Sequence, residues 1–120
     1  MAHFVLVHGA WHGAWCWRDV ADSLIRAGHR AHAVTLTGVG ERAHLLTPNI
    51  TLETHIQDVM NAIEHEELHG VVLAVHSYAG MIGTAVADRM THRLSHLVYV
   101  DAVVPKPGEA WGGTHSRVTQ

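Results

Sequence analysis

An α/β fold, a three-layer α/β/α arrangement with a mostly parallel sheet, is predicted by three features of this 120-residue sequence. Short apolar runs alternate with stretches of helical periodicity, and glycines mark the junctions between them. The runs at 4–7 and 71–75 are continuous rather than alternating, as expected of strands buried on both faces. Parallel neighbours need a long return path, and helices with right-handed crossovers supply it.

Each element can be justified in turn. The first strand, 4–7, stops at His8-Gly9. Trp17, Val20, Ala21, Leu24 and Ile25 recur at helical spacing, and Gly28 stands where a left-handed cap closes a helix. Residues 31–36 read as a second strand, followed at 37–49 by a polar loop long enough to carry function. Leu52, Ile56, Val59, Met60 and Ile63 mark a second helix, and Gly70 separates it from a central third strand at 71–75. After His76-Ser77-Tyr78-Ala79-Gly80, a third helical stripe runs through Ile82, Ala85, Val86 and Met90 to a fourth strand at 97–100. Composition shifts where Pro105, Pro107, Gly108, Gly112 and Gly113 cluster, so 1–104 is read as one core and 105–120 as the start of a cap or linker.

Bulk composition narrows the function. Apolar residues at 48% against 16% charged residues describe a globular chain and exclude a disordered tail. A net charge of -3 without long runs of either sign leaves no footprint for nucleic acid. No apolar run approaches the roughly 18 to 20 residues that cross a bilayer, so no membrane partner is expected. The single cysteine, Cys16, and a start without a basic-then-apolar segment point to the cytoplasm.

In open sheets of this type, sites collect beyond the carboxyl ends of the strands. That edge carries His8-Gly9, His76-Ser77 and Asp101. Ser77 lies between a buried strand and a helix, where a sharp turn exposes a nucleophilic hydroxyl and sets N–H groups at a helix N-terminus. The competing reading is a serine that merely caps the helix. A second motif, His8-Gly9-Ala10-Trp11, follows the first strand and is expected beside the end of the third. An oxyanion hole needs two N–H groups aimed at one point; Tyr78, after the nucleophile, and Ala10 are the candidates.

The stretch Phe4-Val5-Leu6-Val7-His8-Gly9-Ala10-Trp11-His12-Gly13-Ala14-Trp15, with His76-Ser77-Tyr78-Ala79-Gly80-Met81, resembles the α/β-hydrolase branch of plant methyl esterases, hydroxynitrile lyases and bacterial carbamate or pyrethroid esterases. The resemblance runs through about Trp111. It implies Ser77 as nucleophile, Ala10 and Tyr78 as oxyanion donors, and Gly9 and Trp11 at the pocket. It also implies a small-molecule ester substrate and no cofactor. Lyases of this branch carry threonine after the first-strand histidine and glutamate before the nucleophile; Gly9 and His76 here favour an esterase. A hydroxynitrile lyase and a non-catalytic ligand-binding module are the alternatives. The family has glycine two residues before and two after the nucleophile, where this chain has Val75 and Ala79. A β-branched residue at that crossing is expected to distort the elbow or shift the helix.

A serine hydrolase also needs a histidine base and an acid, and in this fold they follow the serine in the order acid, then histidine. Relatives continue through further strands, so the fold is expected to be truncated after about four strands, with acid and base beyond residue 120. Asp101 stands where some relatives place the acid, and it equally suits a turn cap. His115 is the one histidine after the fourth strand, in a stretch too short to build the remaining sheet. The sheet's last strand would leave an open edge through which copies could associate.

Thirteen histidines invite a metal reading, and His65-Glu66-Glu67-Leu68-His69 matches the HExxH pattern. It falls at a helix end, at the amino ends of the strands and opposite Ser77, so no metal is expected. The pairs His8/His12 and His92/His96 read as solvated polar positions. Cys16 and the tryptophans other than Trp11 read as packing residues, with approach to the site an alternative for Cys16.

Overall fold

The computed structural model describes residues 1–10 and 12–104, together with the backbone of 117 and 118. Strands β1 (His3–Val7), β2 (Arg30–Val34), β3 (Val71–His76) and β4 (Leu94–Val100) form a four-stranded sheet in the order β2-β1-β3-β4. All three pairings are parallel, with Val7 opposite Val75 and His76 opposite Val100. The crossovers are α1 (Arg18–Arg26), α2 (Leu52–His65) and α3 (Ala79–Arg89). Three-residue-per-turn segments at Ala14–Trp17, Gly40–Leu45 and Thr91–Arg93 complete the connections. A short strand β5 (Ala102–Val103) pairs antiparallel with β6 (Arg117–Val118). The rest of the segment expected as a cap or linker, Pro105 to Gly113 and His115 included, lies outside the described residues.

Strand alternation divides the core. Val5, Val7, Val71, Leu73 and Val75 point to the face covered by α2 and α3, where they pack with Ile56, Val59, Ile63, Ile82 and Val86. Leu6 and Ala74 point to the other face and meet Trp17, with Phe4, Ala21, Leu24, Val98 and Val100 around them. That second layer is thin. In α1 the expected apolar stripe is only partly used, and Val20 and Ile25 are 45% and 55% exposed. Helix α2 starts at a reciprocal cap in which the side chains of Thr51 and Thr54 each accept from the other's backbone N–H. Its Glu53 holds Arg89 of α3 at 2.7 Å, which keeps the Glu53 carboxyl at a pKa of about 2 and ties the two helices on one face together.

Gly28, at φ 91°, closes α1 as its position predicted. Strand β2 ends at Val34, two residues before the expected limit, and β4 begins at Leu94, three residues early. His65 and His69 are exposed at the amino ends of the strands. Among the described residues no cluster of three or more histidine, cysteine or acidic side chains could hold a metal, and no helix is long and apolar enough to cross a membrane.

Candidate active site

The connection from β3 to α3 is a single tight turn, and Ser77 occupies it at φ 55°. This left-handed conformation is costly for any residue with a side chain, and a serine is held there only where its surroundings dictate it. Those surroundings are visible: the Ser77 carbonyl accepts from the N–H of Gly80 at 3.0 Å and of Val103 at 3.1 Å. The side chain is half-buried, and among the described residues its hydroxyl has no hydrogen-bond partner. A serine capping a helix would spend that oxygen on a backbone N–H in the first turn; no such bond is made to α3. The turn therefore carries a half-buried hydroxyl that caps nothing in α3.

The loop after β1 lies directly against it. A Cβ added to Gly9 would sit 2.9 Å from Ser77 Cβ and 3.2 Å from His76 Nδ1, so glycine is what lets the two strand ends approach. Ala10 follows, exposed, and among the described residues its N–H makes no internal hydrogen bond. Tyr78, half-buried, is the cap residue just before α3, so its N–H lies at a helix start. Ala10 thus follows β1 and Tyr78 follows Ser77 at the end of the neighbouring β3. Trp11, the expected pocket residue, lies outside the described residues.

Val75 does not distort the turn. It is fully buried, and its methyls fill a notch that the helix supplies: a Cβ on Gly83 would come within 2.8 and 3.0 Å of them. The close crossing of β3 and α3 is achieved with a glycine on the helix instead of on the strand.

Three residues have surroundings that the sequence did not reveal. His8 is wholly buried instead of solvated. Its Nε2 accepts the Leu36 N–H at 3.0 Å, which puts the ring proton on Nδ1, donated to the Gly9 carbonyl at 2.7 Å. Burial lowers its pKa below the usual 6.5, so the neutral ring is favoured. His55 donates Nε2–H to the Thr37 carbonyl at 2.9 Å, and its Nδ1 lies 3.0 Å from the Tyr78 hydroxyl. Burial raises the pKa of that phenol. Asp58, one turn further along α2, accepts both the N–H and the hydroxyl of Thr37 at 2.7 Å. The available signal was placement: α2 returns to the sheet from its carboxyl edge, so polar residues on the inner side of its first two turns face the site.

Asp101 follows β4 at φ 45° and is exposed, one residue beyond the partner of His76. Cys16 is exposed rather than buried. It lines a cavity of about 210 Å³ together with His12, Trp17, Val20, His76 and Val100, on the α1 side of the strand ends. Its exposure sets aside the expected packing role.

This chain belongs to the alpha/beta hydrolase family, whose model matches residues 4–118. Among its relatives, the carbendazim hydrolyzing esterase of Nocardioides sp. (strain SG-4G) is 59% identical over 110 residues, which cover 92% of this chain and 46% of that protein. Methyl jasmonate esterase 1 of Vitis vinifera is 34% identical over 109 residues, 88% of this chain and 41% of that one. The solved structure of polyneuridine aldehyde esterase matches with a TM-score of 0.81 at 31% identity, covering 91% of this chain and 43% of its own. The chain spans less than half the length of each of these relatives.

Proposed function

We propose that the protein hydrolyses a small carboxylic or carbamate ester through an acyl-enzyme on Ser77. The observation that carries this reading is Ser77 at φ 55° in a two-residue turn, with the glycine of the neighbouring loop pressed against it. The hydroxyl oxygen attacks the ester carbonyl, its proton passes to a histidine base, and the carbonyl oxygen takes the negative charge between the N–H groups of Ala10 and Tyr78. The C–O bond to the alcohol then breaks, the alcohol leaves with that proton, and water releases the acid. The base and its acid partner come later in chain order, with Asp101 the described carboxylate on the strand next to Ser77. The names of the relatives, esterases acting on carbendazim and methyl jasmonate, support the ester class. A lone, unpaired Cys16 agrees with a reducing, cytoplasmic setting.

Treatment of the complete gene product carrying this sequence with a fluorophosphonate probe tests the reading. Covalent labelling in the parent and none in Ser77→Ala is the expected result. A folded parent that resists labelling would leave a binding module as the function.

A further inference from the structure

Two imidazoles, the wholly buried His8 and the half-buried His55, run from one short segment toward the strand end at Ser77, and nothing in the chemistry above uses them. We infer that the turn Thr35-Leu36-Thr37, just after β2, is a common strut that sets both amide donors of the oxyanion hole, with His8 and His55 as positioning residues. The inference rests on the esterase reading and concerns how its site is held.

The first arm is Leu36 N–H to His8 Nε2, then His8 Nδ1–H to the Gly9 carbonyl. Gly9 C=O and Ala10 N–H belong to one planar trans peptide, in which the two groups point in opposite directions. Holding the carbonyl oxygen therefore fixes where the Ala10 N–H aims. The second arm is the Thr37 carbonyl to His55 Nε2–H, then His55 Nδ1 to the Tyr78 hydroxyl, which tethers the residue just before α3.

The segment itself is pinned from several directions. Asp58 takes both donors of Thr37. The Thr35 hydroxyl accepts from the Ala14 N–H at 2.8 Å and donates to Glu41, and Arg42 donates to the Thr35 carbonyl at 3.0 Å. A strut must be stiffer than what it supports, and this one is bonded through backbone and side chain at consecutive residues. With neutral rings, the arms require opposite tautomers: Nδ1–H in His8 and Nε2–H in His55.

Two measurements test this. Long-range proton–nitrogen NMR on the complete gene product should show those opposite tautomers; the same tautomer in both rings overturns the strut. In the complete gene product, fluorophosphonate labelling of Ser77 is compared in His8→Leu, His55→Leu and two conservative variants. His8→Asn keeps a donor near the Nδ1 position and His55→Gln one near Nε2. Displacing a donor costs less than deleting one, so each leucine variant should label about tenfold more slowly, and each amide variant, which keeps one bond of its arm and loses the other, should label at a rate between that and the parent's. Because the arms share one segment, the doubly leucine-substituted protein should be slowed by less than the product of the single effects. Parental rates in both leucine variants, or effects that simply multiply, would overturn the proposal. An unlabelled parent strikes the esterase reading instead and leaves the tautomer result to decide the strut.

Discussion

Ser77 keeps a left-handed backbone although it carries a side chain, and the penalty for that is about 1–2 kcal/mol. Replacing it with glycine removes the crowding along with the hydroxyl. Ser77→Gly should therefore abolish probe labelling and raise the free energy of unfolding by about 1 kcal/mol, after the added flexibility of the unfolded chain is subtracted. Urea titrations of the two proteins would measure this, and a less stable glycine variant would show that the turn is unstrained. At this scale the sequence was informative where a residue type is demanded by backbone geometry. Gly9 and Ser77 were legible because a glycine just past one strand and a serine just past its neighbour fit few other arrangements. His8 was not: a histidine at a strand end looks solvated until its two ring nitrogens are seen to meet Leu36 and Gly9. Cys16 was misread for the converse reason, since small apolar residues beside tryptophans usually pack and this one faces a cavity.

Between elements, the contact that decides the site's shape is β3 against α3. Val75 and Gly83 are complementary in volume, so the pair should behave as a unit. Gly83→Ala alone is expected to destabilise by about 1–3 kcal/mol through overpacking. Adding Val75→Ala should recover part of that loss, with a coupling of roughly 0.5–3 kcal/mol from the four-protein cycle measured by denaturant unfolding. Strict additivity would mean that the helix simply shifts away. The buried strands and α2 were readable because continuous apolar runs and i, i+3, i+4 stripes report burial directly. The ends of β2 and β4 were not. His96 pairs with Val72 across a bulge at Ser95, whose hydroxyl donates to the Val71 carbonyl at 3.3 Å, and no hydrophobic pattern records such contacts. Thr35 and Leu36 look like strand continuation, yet they leave the sheet to serve the loop beside the site.

Across the whole molecule, the two sheet edges differ. Arg30 and His32 interrupt β2, whereas β4 presents Leu97, Val98, Tyr99 and Val100 in succession, with a hydrogen-bonded neighbour on one side only among the described residues. Self-association of the 120-residue chain through β4 is the expected behaviour. Size-exclusion chromatography over a range of concentrations should show species larger than the monomer, and a clean, stable monomer would count against it. The thin layer over Leu6 and Ala74, with Val20 and Ile25 turned outward, agrees with a fold whose relatives are more than twice as long. That imbalance was only partly visible in the sequence, because the stripe on α1 announces a buried face without saying how much of it these 120 residues cover.

The bond from the Val103 N–H to the Ser77 carbonyl gives the elbow a tether outside its own turn. Strand β5 is anchored on the carbonyl of Ser77 itself, so a movement of β5 need not cross the sheet to be felt there. Pulling on β5 would tilt the hydroxyl's platform as a cord tilts a blind.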